Sequence, residues 1–126
     1  RKLENKGDLG LMVRDGYQKP DSSNMLHPAI TIPIMTYGCL LKLNRVIYHP
    51  AYSHMFSDCE LYLNLKELNL LYDDRMEDET VFEHLHHVAR KRMPDKADMA
   101  YNMKWKEDEF KWNDRKKMSV KKRLEV

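Results

Sequence analysis

An α/β arrangement, a few short strands flanked by helices and closed by a long C-terminal helix, is predicted by three observations in this 126-residue chain. Short apolar or β-branched runs such as Leu9 to Val13 end in turn residues, here Asp15-Gly16, which is the pattern of short strands. Between them lie segments whose apolar residues recur at helical spacing. The last of these, 95–118, keeps that spacing for about six turns.

Residues 1–8 are polar and charged and read as a linker. Leu9 to Val13 is the first strand, and Tyr17 to Asn24, with a proline and two serines, has loop composition. The turn residues Asp15, Gly16 and Tyr17 are candidates to hold an acceptor or substrate, or merely to connect. Pro28 and Pro33 confine His27 to Ile34 to an edge strand or an extended segment. Met35 to Val46 carries Tyr37, Leu40, Leu41, Leu43 and Val46 at helical spacing, with Cys39 as a buried thiol; Gly38 weakens that helix by about 1 kcal/mol relative to alanine. After Asn44 to Pro50 the chain reaches its central stretch, His49 to Leu61.

There Ser57-x-x-Glu60 before an apolar run is a capping-box pattern, predicting a helix from about Phe56–Asp58 to about Asn69. Leu70-Leu71-Tyr72 predicts a second strand. The acidic cluster Asp73, Asp74, Glu77, Asp78 and Glu79 lacks calcium-loop spacing and the glycine such a loop needs, so it reads as a solvated turn. Glu79 to His86 is β-branched and aromatic and predicts a third strand. Arg90, Lys91 and Arg92 follow, suited to a diphosphate, to the acidic turn, or to solvent. Asp95 is a candidate cap for the last helix. Tyr101, Trp105 and Trp112 line one of its sides and Met99, Met103 and Phe110 another, so burial is expected on more than one side, against the domain and against a second subunit or a further part of the protein. Residues 119–126 are expected as a solvated basic tail, able to touch an anionic membrane or an acidic partner.

Composition narrows the function classes. A formal charge of +2 gives nucleic-acid binding no general electrostatic support, although Arg115 to Arg123 is locally basic. Cys39 and Cys59 are the only cysteines, which fits reduced thiols and a cytoplasmic location. No run approaches the ~18 apolar residues that a membrane span needs. The chain begins at Arg1 without an initiator methionine, so it is expected to be one domain or a fragment of a longer protein.

The residue types that carry chemistry sit in two places. Asp58 and Glu60 stand two apart, which on a helix separates them by roughly 200°, so they cannot serve one ligand together. Asp58 is the better candidate for acid–base work, because it lies in the first turn, where the helix dipole stabilises an anion. Both carboxylates serve equally well to finish a helix. His84 and His86 share one face of the third predicted strand and can approach one metal ion, with oxygen ligands from elsewhere; surface histidines on an edge strand are the plainer reading. His54 is a further candidate for the site, or a packed histidine.

In that order the features resemble a known family. Asp15-Gly16-Tyr17-Gln18 after a strand, Pro33-Ile34-Met35, the block Tyr52-Ser53-His54-Met55-Phe56-Ser57-Asp58-Cys59-Glu60-Leu61, then Val81-Phe82-Glu83-His84-Leu85-His86, and Asp98-x-x-Tyr101 with a Trp- and Asp-bearing helix resemble the C-terminal half of GT-A fold glycosyltransferases, the family-2-like sugar-nucleotide enzymes of bacteria and their phages. The resemblance covers residues 9–118. It implies a partial GT-A-like fold and a metal-dependent, inverting transfer from a nucleoside-diphosphate sugar to a sugar or glycan acceptor. It implies Asp58 as general base, Glu60 in support or reading the acceptor, and His84 or His86 as a ligand to Mn2+ or Mg2+. Such enzymes carry an Asp-x-Asp motif in their N-terminal half and this sequence contains none, so the chain alone is expected to be inactive. The competing expectation is a non-catalytic interaction module that docks a partner, or another copy of itself, through the aromatic C-terminal helix.

Overall fold

A computed structural model describes residues 7–13, 28–53, 55–75 and 96–126, with side chains from 104 onward in the last segment. The element order is β1 (Gly10–Met12), β2 (Ile34–Met35), α1 (Tyr37–Lys42), α2 (Ser57–Glu67), β3 (Leu71–Asp73), α3 (Lys96–Arg115) and α4 (Val120–Arg123). The fold class is mixed α/β, as expected. The predicted strand at 79–86 lies outside the described residues.

β1 is the middle strand of a three-stranded sheet ordered β2-β1-β3. It pairs antiparallel with β2, Gly10 opposite Met35, and parallel with β3, Leu11 opposite Tyr72. The proline-bounded segment thus reaches the sheet only at an edge, where a missing N–H removes no ladder bond. The chain then turns directly into α1. Thr36 caps that helix by accepting the Cys39 N–H at 3.2 Å, and the same hydroxyl accepts the Leu9 N–H at 3.1 Å, tying the helix start to β1. α1 is only six residues long, because Asn44 and Arg45 both take positive φ (53° and 59°) and end it.

α2 lies against the sheet. Leu61 and Leu65 are fully buried with Met12, Cys39, Leu43, Leu70 and Leu124 in the larger core cluster. The approach is close: a Cβ at Gly10 would sit 2.6 Å from the Leu65 Cδ1, so any side chain there would force Leu65 to shift. α2 ends in a left-handed Asn69 (φ 58°), and the Leu70 N–H bonds back to the Leu65 carbonyl at 2.8 Å, a Schellman closure that starts β3 without a loop.

Two expectations are corrected here. The capping box does not form: the residue before the helix is Phe56 in a left-handed conformation, φ 69°, with no side-chain cap, and Glu60 turns inward rather than back to the helix start. Residues 119–126 are not a solvated tail. Ser119 caps α4, Leu124 joins the core, and Arg123 is wholly buried, donating to Asn64 Oδ1 at 2.7 Å, to the Lys116 and Met118 carbonyls, and to Glu67. A buried guanidinium is tolerable when most of its donors find acceptors, and α2 supplies two of them. Lys121 and Lys122 of the same short helix remain exposed.

Candidate functional site

The site is built around the start of α2, and α3 builds it. Trp105, Asp108, Trp112 and Arg115 recur at helical spacing along one face of α3, and contacts from all four reach the 52–60 region. Phe56 packs between the two indoles, 5.5 Å from the Trp105 ring and stacked at 6.5 Å on the Trp112 ring. Asp108, 0% exposed, accepts the Ser53 N–H on Oδ1 at 2.9 Å and the Met55 N–H on Oδ2 at 2.8 Å, with the Lys111 ammonium at 4.0 Å. Arg115 donates to both oxygens of Glu60, from Nε at 2.6 Å and from Nη2 at 3.1 Å. A left-handed phenylalanine is costly for a bulky residue. These contacts over-determine the turn and hold it there.

Asp58 and Glu60, neighbours but one on α2, end in different surroundings. Glu60 is 2% exposed. Besides Arg115 it accepts the Tyr52 hydroxyl at 3.0 Å, and the Arg115 guanidinium stands over the Tyr52 ring at 5.9 Å. Burial first, then the Glu60 charge and hydrogen bond, push the Tyr52 phenol well above its ordinary pKa. Arg115 is pulled down by burial but held above its usual value on balance by Glu60. Glu60 is therefore committed to a buried ion pair, and the expected role of supporting Asp58 or reading an acceptor does not suit it.

Asp58 stays partly exposed in the first turn of α2. Its Oδ1 accepts the Cys59 N–H at 2.9 Å, and its carbonyl accepts the Ile30 N–H at 3.1 Å. Tyr48, 42% exposed, donates its hydroxyl to the Ile30 carbonyl at 3.1 Å. Burial and then the Asp58 charge push that phenol up to about 12. The Cys59 thiol is likewise raised by burial first and by Asp58 second. Both cysteines are free and buried.

No family model, curated protein or solved structure matches the chain. The functional reading therefore rests on the residues themselves.

The remaining candidates, Asp15, Gly16, Tyr17, His54, His84 and His86, lie outside the described residues. Among the described residues no group of three or more His, Cys, Asp or Glu side chains is placed to hold a metal ion, and Asp73, which opens the acidic cluster, is engaged by Arg75 at 2.7 Å. The described residues alone do not make a home for Mn2+ or Mg2+. No helix among them is long and apolar enough to cross a membrane.

Two residues of the site were not singled out from sequence. Tyr48 lies in the connecting segment Asn44 to Pro50, and Asp108 is not among the candidates on the long C-terminal helix. The available signal for Asp108 was its register: it falls three residues after Trp105 and four before Trp112, on the face the indoles already marked for burial.

Proposed function

We propose that this chain forms the acceptor side of a cytoplasmic glycosyltransferase that moves a sugar from a nucleoside-diphosphate donor to a sugar or glycan hydroxyl, with Asp58 as the general base. One observation carries the reading. Of the two carboxylates at the start of α2, Glu60 is buried in an ion pair, whereas Asp58 is partly exposed in the first turn, just after a turn whose amides Asp108 holds. A catalytic base needs that combination of access and fixed geometry.

In the reaction, an Asp58 oxygen takes the acceptor hydroxyl proton as that oxygen bonds to the anomeric carbon. The bond from that carbon to the diphosphate oxygen breaks, its electron pair leaves with the diphosphate, and configuration inverts. Tyr48, protonated at neutral pH with its hydroxyl donating to the Ile30 carbonyl, does not compete for the proton. A divalent ion, if bound, would neutralise the departing diphosphate, and His84 and His86, which lie outside the described residues, are its candidate ligands.

The test is transfer from a panel of sugar nucleotides with Mn2+, using the complete reading frame that carries this sequence. Asp58→Asn is expected to lower the transfer rate at least about 100-fold, the scale of general-base catalysis. Undiminished transfer would refute the assignment.

A second reading has its own observation. Phe110, on a different side of α3 from the Asp108 face, is 78% exposed, and a large exposed aromatic is a natural anchor for a partner or a second copy. Loss of self-association or partner capture in Phe110→Ser, with sugar transfer absent throughout, would favour that module.

A further inference from the structure

We propose that Asp108 is a positioning residue for the Asp58 base, acting through the turn that enters α2. The inference rests on the sugar-transfer reading and adds to it a residue about fifty positions away in sequence and wholly buried. The two Asp108 oxygens divide their work: Oδ1 takes the Ser53 amide and Oδ2 the Met55 amide. Charge-assisted bonds to backbone amides are about twice as strong as neutral ones, and burial strengthens them further. From Met55 to Asp58 only Phe56 and Ser57 intervene. Phe56 is locked by its left-handed backbone and by Trp105 and Trp112, one turn to either side of Asp108 on α3. The chain thus arrives at Asp58 under consecutive restraints from a single helix face.

A desolvated carboxylate is a poor choice if stability alone is wanted, because burying a charge costs heavily and apolar packing does as well or better. What it adds is register. Two acceptors at fixed spacing set the path of the turn, and with it where the first turn of α2 presents its acid. A misplacement of about 1 Å at a reacting group is enough to cost about 100-fold in rate.

Asp108→Asn is nearly isosteric but leaves only one acceptor, so one of the two amides meets an NH2 group instead of an oxygen. In the complete reading frame, we expect kcat for transfer to fall at least tenfold per folded molecule, with the donor KM within twofold of wild type. The ratio of sugar transferred to acceptor over sugar lost to water should fall as well, because water needs no such alignment. Glu67→Gln, which weakens the far end of α2, is the control and should leave kcat and that ratio unchanged. If Asp108→Asn does not accumulate as folded protein, Asp108→Glu keeps the charge and shifts it by one methylene; its kcat should fall at least threefold. An Asp58→Asn variant that is inactive beside a folded Asp108→Asn or Asp108→Glu variant with wild-type kcat and ratio would overturn the positioning role and leave the base assignment standing. An active Asp58→Asn variant would overturn both.

Discussion

The two sides of α2 meet different partners, and the contrast explains how one short helix can hold both an anchor and a reactive group. On the side facing α3 and α4, Glu60, Asn64 and Glu67 form a polar stripe at i, i+4 and i+7, answered by Arg115 and Arg123. On the other side, the Asp58 carbonyl accepts the Ile30 N–H, its Oδ1 accepts the Cys59 N–H, and part of its surface stays open. Identical carboxylate chemistry is buried under an arginine at Glu60 and stays partly exposed at Asp58. The lesson is that burial with a partner, more than residue type or helix position, sorts these acids into roles.

The largest effect should come from breaking the covered side. Glu60→Ala removes the carboxylate shared by the Tyr52 hydroxyl and Arg115, whose side chain is only 13% exposed and keeps the Arg123 carbonyl as an acceptor. Urea denaturation should show a loss of about 3–5 kcal/mol, the usual cost of stranding one member of a buried pair. A loss under 1 kcal/mol would mean that the pair is not the anchor described.

Next in size is the packing that sets α2 on the sheet. Gly10→Ala drives a Cβ into the Leu65 side chain, and overpacking of this kind costs about 1–3 kcal/mol, read from the same denaturation curves. A neutral Gly10→Ala would show that α2 has room to shift.

Alkaline pH should also erode stability. The Cys39 thiol is raised from 9.0 to about 11, by burial first and the Asp8 charge second, and the Tyr48 phenol from 10.0 to about 12. Their folded pKa values exceed the unfolded ones, so the stability they contribute is complete below about pH 9 and is lost as pH rises toward 12. Urea midpoints should therefore fall steadily above about pH 9, and a flat profile would contradict the burial of the Cys39 thiol. The smallest effect belongs to the open face of α3: Phe110→Ser should change stability by no more than about 0.5 kcal/mol.

Much of this fold can be read from local pattern. β1, β3, α2 and α3 fall where apolar spacing and turn residues put them, because those signals depend on neighbours in sequence. The start of α2 was expected in the right place for a different reason: Ser57-x-x-Glu60 suggested a self-contained cap, whereas Phe56, the tryptophans and Asp108 do the holding. Glu60, Asp108 and Arg123 were the least legible. Each is a charged residue in a polar stretch, which locally means solvent, and each is buried because a complementary group arrives from more than fifty residues away. Of the candidate site, the distinction between Asp58 and Glu60 was visible in helical geometry; which of the two would be covered was not, since that depends on where α3 lies.

The account stands on Asp58 being chemical and Glu60 structural, and a paired measurement of stability and sugar transfer on Asp58→Asn and Glu60→Gln in the complete reading frame tests it most directly. The expected result is a crossed pattern: Asp58→Asn keeps its urea midpoint and loses transfer at least about 100-fold, while Glu60→Gln loses stability and keeps its rate per folded molecule. Full transfer by Asp58→Asn, or loss of rate confined to folded Glu60→Gln, would contradict it.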